Sequence, residues 1–192
     1  MITSLANRIT RKLLSNGYLA AAETDEVIYG LFTAISRLIF AVICISLGIV
    51  FKCTMESIVF YATFLFVKKY AGGFHASTEG RCFIISTASI VSSIWFISFC
   101  QTAINIRKIL FILAIVAGAI ISILSPVASV EKPLDHSDKK RYRVFSFLRV
   151  VILISACSTL YFFSIFNICI AVCAGVLLEG VFLIVGHIKQ KT

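Results

Sequence analysis

An all-α, polytopic membrane fold is predicted by three features of this sequence. Of its 192 residues 59% are hydrophobic, only 14% are charged, and the charges cluster so that long apolar runs separate them. The mean hydropathy of +1.00 agrees with the first two. A soluble domain of this length could bury an ample core, but it would need far more polar surface than these charges supply. Apolar runs between clustered charges belong to a chain whose solvent is a bilayer. The expected organisation is a single integral membrane domain over 1–192, with about six transmembrane helices behind an amphipathic N-terminal helix. The start, Met1-Ile2-Thr3-Ser4, lacks the basic region and short apolar core of a cleavable signal. Insertion is therefore expected to rely on the spans themselves.

In chain order, residues 1–24 form the interfacial segment, with the amphipathic helix itself over 1–20. Ile2, Leu5, Ile9 and Leu13 share one face, and Arg8, Arg11 and Lys12 lie towards the other. Such a helix suits the headgroup layer of an anionic leaflet, although a partly ordered basic arm fits the residues as well. Thr24-Asp25-Glu26 reads as a helix start, a capping hydroxyl followed by acids in the first turn. Spans follow at about 31–51, 55–69, 83–101, 109–127, 147–166 and 168–187. The second is short, because Lys68-Lys69 follow thirteen residues after Met55 opens it. A crossing takes about 20 residues, so a locally thinned bilayer or snorkelling lysines would have to make up the difference. The fourth span should stop at Ser125-Pro126, since proline discourages helix before it. The last two should meet near Phe166-Asn167, and small residues such as Gly118, Ala119 and Ser122 suit helix–helix contact.

Orientation follows from the basic residues. With the N-terminus inside, 13 Lys and Arg fall in cytoplasmic segments and only Lys52, Arg107 and Lys108 fall outside. The rule then places both chain ends, the 68–82 segment and a basic loop over 128–146 in the cytoplasm of a multi-pass plasma-membrane protein. Seven cysteines lie mostly within apolar runs, where cysteine is usually a small packing residue. Cys169 and Cys173 share a face at i, i+4 and are expected to pack. No Cys/His spacing suggests a zinc site, so no metal and no cofactor are expected. Nothing reads as a nucleic-acid site either.

The chemically informative stretch is residues 68–82, Lys68-Lys69-Tyr70-Ala71-Gly72-Gly73-Phe74-His75-Ala76-Ser77-Thr78-Glu79-Gly80-Arg81-Cys82. It alone sets a histidine near a cysteine, and it holds three of the ten glycines. A thiol nucleophile needs a base to make its thiolate, and histidine is the usual one. On one straight helix His75 and Cys82 would stand about 10 Å apart along the axis, too far for proton transfer. The chain must therefore turn back, and Gly72, Gly73 and Gly80 allow it. A helix starting near Gly80 would put Cys82 in its first turn, where the helix dipole and Arg81 favour a thiolate. Ser77 or Thr78 would cap that helix or a short one before it. Glu79 is the local carboxylate that could orient His75, but it reads more readily as a solvated acid offsetting Lys68, Lys69 and Arg81. The bland alternative for the pair is an interfacial histidine beside a packing cysteine.

Gly72-Gly73-Phe74-His75-Ala76, with Cys82 seven residues after the histidine, resembles the signature of the accessory gene regulator protein B (AgrB) family. Tyr29-Gly30-Leu31 resembles the start of that family's first span. Ser125-Pro126-Val127, followed by Glu131-Lys132-Pro133-Leu134 and a basic run, resembles its large cytoplasmic loop. Length and hydropathy agree across essentially the whole chain. The resemblance implies a cysteine endopeptidase of Gram-positive quorum sensing, acting as a homodimer on a small AgrD-like pro-peptide held at the cytoplasmic leaflet. By residue match Cys82 would be the nucleophile and His75 the base. A peptidyl thioester on Cys82 would then be displaced by a cysteine or serine of the pro-peptide, closing a thiolactone or lactone. One departure is Lys68, where the family often has arginine; the charge stays but a bidentate grip on a carboxylate is lost. Lys68, Gly73, Glu79 and Arg81 are accordingly the candidate orienting or substrate-contacting residues.

Away from the short second span, the charges within the spans are Arg37, Arg149 and Glu179. An ionised carboxylate there is costly unless paired or hydrated, so Glu179 is expected to pair with one of the two arginines or to face a polar cavity. The rival to an enzyme is a non-catalytic peptide transporter or export component of the plasma membrane, favoured by the spans and intramembrane charges. A module that only presents a peptide to another protein is a third reading.

Overall fold

A computed structural model describes residues 2–20, 23–74, 78–102, 106–127 and 136–191. Among them are seven helices: α1 Ile2–Ser15, α2 Thr24–Val50, α3 Thr54–Ala71, α4 Glu79–Thr102, α5 Ile106–Leu124, α6 His136–Phe162 and α7 Phe166–Lys191. No strand occurs among the described residues, which places the chain in the all-α class. Five helices, α2, α4, α5, α6 and α7, are long and apolar enough to cross a membrane. The remaining expected span is α3, whose 18 residues include Glu56, Lys68 and Lys69.

The chain divides into two compact units, Met1–Ile43 and Cys44–Thr192, and the division falls within α2. In the first unit, α1 buries Ala6 and Thr10, and the Thr10 hydroxyl donates to the Ala6 carbonyl at 2.9 Å. Leu5, on the apolar face, is 46% exposed, as a face turned to the headgroup layer would be. α2 begins at Thr24 with Asp25 and Glu26 in its first turn, as a capped helix start requires.

The second unit is built around α7. Two-thirds of its most apolar window is buried, against 28% or less in the other four candidate spans. Those helices expose large aliphatics such as Ile84, Ile112, Ile123 and Ile152, the surface that lipid would cover. The core joins Val67 and Ala71 of α3, Ala117 and Ile121 of α5, Val150 of α6, and Val176 and Leu183 of α7. Small residues permit these crossings. A Cβ on Gly175 would lie 2.8 Å from Thr63 Cγ2 and 3.0 Å from the Phe60 carbonyl oxygen, so α3 and α7 meet almost backbone to backbone. Gly118 of α5 takes the Val150 side chain of α6 in the same way. The tight turn from α2 to α3 is closed by buried Ser57, whose hydroxyl donates to the Cys53 carbonyl at 2.9 Å.

Two boundaries differ from expectation. The basic run Lys139, Lys140, Arg141 and Arg143 lies on the first turns of α6 rather than in a loop. Tyr142, Phe145 and Arg149 of that stretch recur on one helix face and meet Tyr70, which gives the helix a reason to extend. Of the expected 128–146 loop, residues 128–135 lie outside the described residues. The turn between α6 and α7 spans 163–165, slightly before Phe166-Asn167, and α5 ends at Leu124 just before Ser125-Pro126. That last bond is cis.

Candidate functional site

The chain leaves α3 at Ala71 and is held at each residue from Tyr70 to Phe74. The Tyr70 ring packs on Tyr142 and Phe145 of α6, with centroids 5.3 and 5.1 Å away. The Arg149 guanidinium lies 4.2 Å from both the Tyr70 and the Phe66 ring centroids and donates to the Phe66 carbonyl. This is how α6 accommodates an arginine within its apolar length: stacking and a charge-assisted hydrogen bond stand in for water. Arg149 is thus engaged with α3, and Arg37 lies on α2 in the other unit.

Gly72 follows with φ +84°, a conformation that side chains strain, and its N–H donates to the Lys68 carbonyl at 3.1 Å. Its backbone bridges to Val127, whose N–H donates to the Ala71 carbonyl at 2.9 Å. A Cβ on Gly72 would fall 2.1 Å from the Val127 carbonyl oxygen, so no other residue fits there. The Ser125-Pro126-Val127 segment is tied in turn to α6, because Arg143 Nε donates to the Ser125 carbonyl at 3.1 Å. The resemblance of 72–76 and of 125–127 to one family therefore concerns two pieces that touch.

Gly73 and Phe74 then run along α7. A Cβ on Gly186 would sit 3.0 Å from the Gly73 carbonyl carbon and 3.1 Å from the Phe74 nitrogen. Lys189 lies over the Phe74 ring at 5.3 Å. Glu179 is fully buried, and neither carboxylate oxygen has a hydrogen-bond partner among the described residues. Its Oε1 lies 3.5 Å from the position of a Cβ on Gly73. The Lys68 ammonium rests 4.9 and 5.0 Å from the Phe64 and Phe182 ring centroids. Of the two expectations for the Glu179 carboxylate, a pairing with Arg37 or Arg149 or a polar cavity, no arginine hydrogen bond to it occurs among the described residues.

After Phe74 come His75, Ala76 and Ser77, which lie outside the described residues, as does the Glu79 side chain. The expected approach of His75 to Cys82 falls there. The description resumes at Thr78, whose side-chain oxygen accepts from the Arg81 N–H at 3.4 Å and caps α4. Cys82 is half-buried, and its N–H donates to the Thr78 carbonyl at 3.0 Å, so it stands in the helix's opening turn. That is the place where helix geometry presents a thiol to the positive end of the dipole.

A second group of thiols went unread in the sequence. Cys157 of α6 joins Cys169 and Cys173 of α7, and their three sulfurs lie within 4.8 Å of one another. The Cys157 sulfur is 2.8 Å from that of Cys169 and 3.4 Å from that of Cys173. Sulfur atoms around a tetrahedral zinc stand about 3.8 Å apart, given bonds of about 2.3 Å. A soft ion would have to spread this cluster, which as it stands is packed thiols. The i, i+4 spacing on α7 was visible; the third member comes from another helix and left no local signal.

Fold and site together define a polytopic helical membrane protein that presents a cysteine at a helix N-terminus, a few residues along the chain from a tightly anchored glycine turn. The family model for accessory gene regulator B (AgrB) matches residues 6–183, nearly the whole chain, and the chain belongs to that family. Two proteins described as AgrB-like in Clostridium perfringens are similar to it. The one from strain 13 / Type A is 26% identical over 149 residues, covering 73% of this chain and 68% of its own. The one from strain SM101 / Type A is 25% identical over 150 residues, with the same shares covered. No solved structure matches the chain. Membership ties the protein to the processing of accessory gene regulator peptides for quorum sensing.

Proposed function

We propose that this protein is a cysteine endopeptidase of the plasma membrane that cleaves a quorum-sensing pro-peptide and closes its ring, with Cys82 as nucleophile and His75 as base. The observation that carries the reading is the half-buried Cys82 in the opening turn of α4, seven residues beyond His75 in an AgrB-family chain. His75 takes the thiol proton, and the Cys82 sulfur attacks the scissile carbonyl. The C–N bond breaks as the imidazolium returns its proton to the leaving amine, and the tail departs with a free N-terminus. The resulting thioester holds the peptide until its own thiol or hydroxyl attacks the same carbonyl, forming the ring bond and releasing Cys82. Holding both ends of the peptide supplies the effective concentration that ring closure needs. A partly desolvated site beside the bilayer disfavours hydrolysis of the thioester.

The positive-inside bias supports a cytoplasmic site with both chain ends on the same side, where a leader held on the inner leaflet would reach it. Lys139, Lys140, Arg141 and Arg143, on the opening turns of α6, suit an acidic tail or anionic headgroups. We further propose a homodimer as the working form. The test is co-expression with a precursor tagged at its C-terminus. The intact protein should release the tag, and Cys82→Ala and His75→Ala should each abolish release. Release by either variant sinks the endopeptidase reading.

A further inference from the structure

Cys157 of α6 and Cys169 and Cys173 of α7 are free, buried thiols that peptide cleavage does not use. The Cys157 sulfur stands 2.8 Å from that of Cys169 and 3.4 Å from that of Cys173. Atoms that merely touch stand about 3.5–4.0 Å apart, whereas a disulfide holds its sulfurs at about 2.05 Å. The Cys157–Cys169 pair lies between those limits. Both backbones share in the approach: the Cys157 thiol donates to the Cys169 carbonyl at 3.4 Å, and the Cys169 thiol donates to the Cys157 carbonyl at 3.6 Å. Helices α6 and α7 therefore cross closely at these residues, just before and after the turn over 163–165 that joins them. Cys157 is the member common to either inter-helix pair. The cluster lies about 4 to 11 Å from the helix ends that meet at this turn, counting 1.5 Å per residue. Lys139 to Arg143 and Lys189 occupy the opposite ends of the same two helices. The positive-inside bias assigns those basic ends to the cytoplasm, which leaves the thiols near the outer face, where disulfides persist.

We propose that the three thiols form an oxidisable site in which Cys157 closes a disulfide to Cys169, or to Cys173 in its place, and so links α6 to α7 near their outer ends. The oxidant is a small uncharged peroxide, which reaches a buried pair near helix ends through local opening. One thiol sulfur takes an oxygen from hydrogen peroxide, giving a sulfenic acid and one water. The partner sulfur then attacks that sulfur, forms the S–S bond and expels the oxygen as a second water. Two thiols are oxidised and one peroxide is reduced. The third thiol remains beside the new bond, so the link can pass between Cys169 and Cys173 by exchange. This chemistry does not rest on the endopeptidase reading.

The full-length protein, reconstituted in lipid nanodiscs, is treated with hydrogen peroxide, denatured, alkylated, digested and weighed by mass spectrometry. No Lys or Arg lies between Arg149 and Lys189, so trypsin releases all three thiols in one peptide and leaves Cys44, Cys53, Cys82 and Cys100 in others. In wild type that peptide should lose two hydrogens and take up one alkyl group in place of three. Chymotrypsin, which cuts among Tyr161, Phe162, Phe163 and Phe166, should leave its two halves joined. Cys169→Ser should still link, through Cys173, whereas Cys157→Ser should keep both remaining thiols free. Peroxide should raise the unfolding temperature of wild type by about 3 °C or more relative to Cys157→Ser, because a cross-link restricts the unfolded chain. Should Cys157→Ser fail to fold, the joined wild-type halves decide alone. Three alkyl groups on the oxidised wild-type peptide, a link confined to the α7 half, or sulfinic acids in place of a link each overturn the proposal. So does a soft metal ion retained by reduced wild type, which would make the cluster a metal centre.

Discussion

At Gly72 the backbone geometry leaves one residue type available. Its φ of +84° is strained for any side chain, and an added Cβ would collide with the Val127 carbonyl oxygen at 2.1 Å. Gly72→Ala should therefore break the bridge between the end of α3 and the segment after α5. The left-handed backbone alone costs about 1–2 kcal/mol, before any clash. Thermal unfolding in detergent should show the lower stability, and precursor cleavage should fall with it; an unchanged midpoint would mean the Val127 contact yields freely. The sequence had placed a bend at this glycine, since a glycine pair beside a short span is a local signal. What it bends around could not be read, because Val127 reaches the site through a different stretch of chain. Thr78 was legible as a cap for the same reason that Val127 was not: a cap acts within one turn. Glu179 stood out as a costly charge in an apolar run, yet its place beside Gly73 could not be read. Lys68 lies at the end of a helix, where it reads as interfacial until α7 is seen passing behind it.

Among the elements, α7 acts as the hub because its small residues let other helices come close. Gly175 meets Thr63 and the Phe60 carbonyl at 2.8 to 3.0 Å measured from an added Cβ, so Gly175→Leu should force α3 and α7 apart. Overpacking of this kind typically costs about 1–3 kcal/mol. The measured unfolding temperature should drop, and cleavage should drop as well, because α3 leads into the Gly73–Phe74 backbone that packs on Gly186 of α7. Retained stability would place the crossing elsewhere. The helices themselves were legible from apolar length and from Thr24-Asp25-Glu26 and Ser125-Pro126. Their order of burial was not. In a chain whose every span is apolar, hydropathy cannot separate a helix covered by protein from one covered by lipid. The longer α6 was missed for a related reason: Lys139 to Arg143 look like loop until Tyr142, Phe145 and Arg149 find Tyr70.

For the molecule as a whole, the number of crossings turns on α3. At 1.5 Å per residue, its 18 residues reach about 27 Å, close to the hydrocarbon thickness of about 30 Å. Lys68 and Lys69 at its end can extend that reach by snorkelling. If α3 crosses, the two chain ends share a side; if it does not, they are opposed. Single cysteines introduced into a background without exposed thiols test this with a membrane-impermeant maleimide. Lys52→Cys and Lys108→Cys should label on intact cells, and Lys69→Cys and Lys189→Cys only after permeabilisation. Labelling of Lys52→Cys and Lys69→Cys from the same side would remove α3 from the crossings.

Composition and the spacing of charges were enough to determine an all-α membrane protein, most of its helix limits, and the short stretch in which histidine and cysteine come close. Those are local properties: hydropathy, caps, prolines and glycines act within a few residues of themselves. The tertiary structure alone decided that α7 is the centre, that Val127 and Gly186 hold the turn before His75, and that Glu179 lies buried beside Gly73. Each of these joins residues from different helices, and the free energy that selects such partners comes from close packing and desolvation, which exist only once the chain is folded.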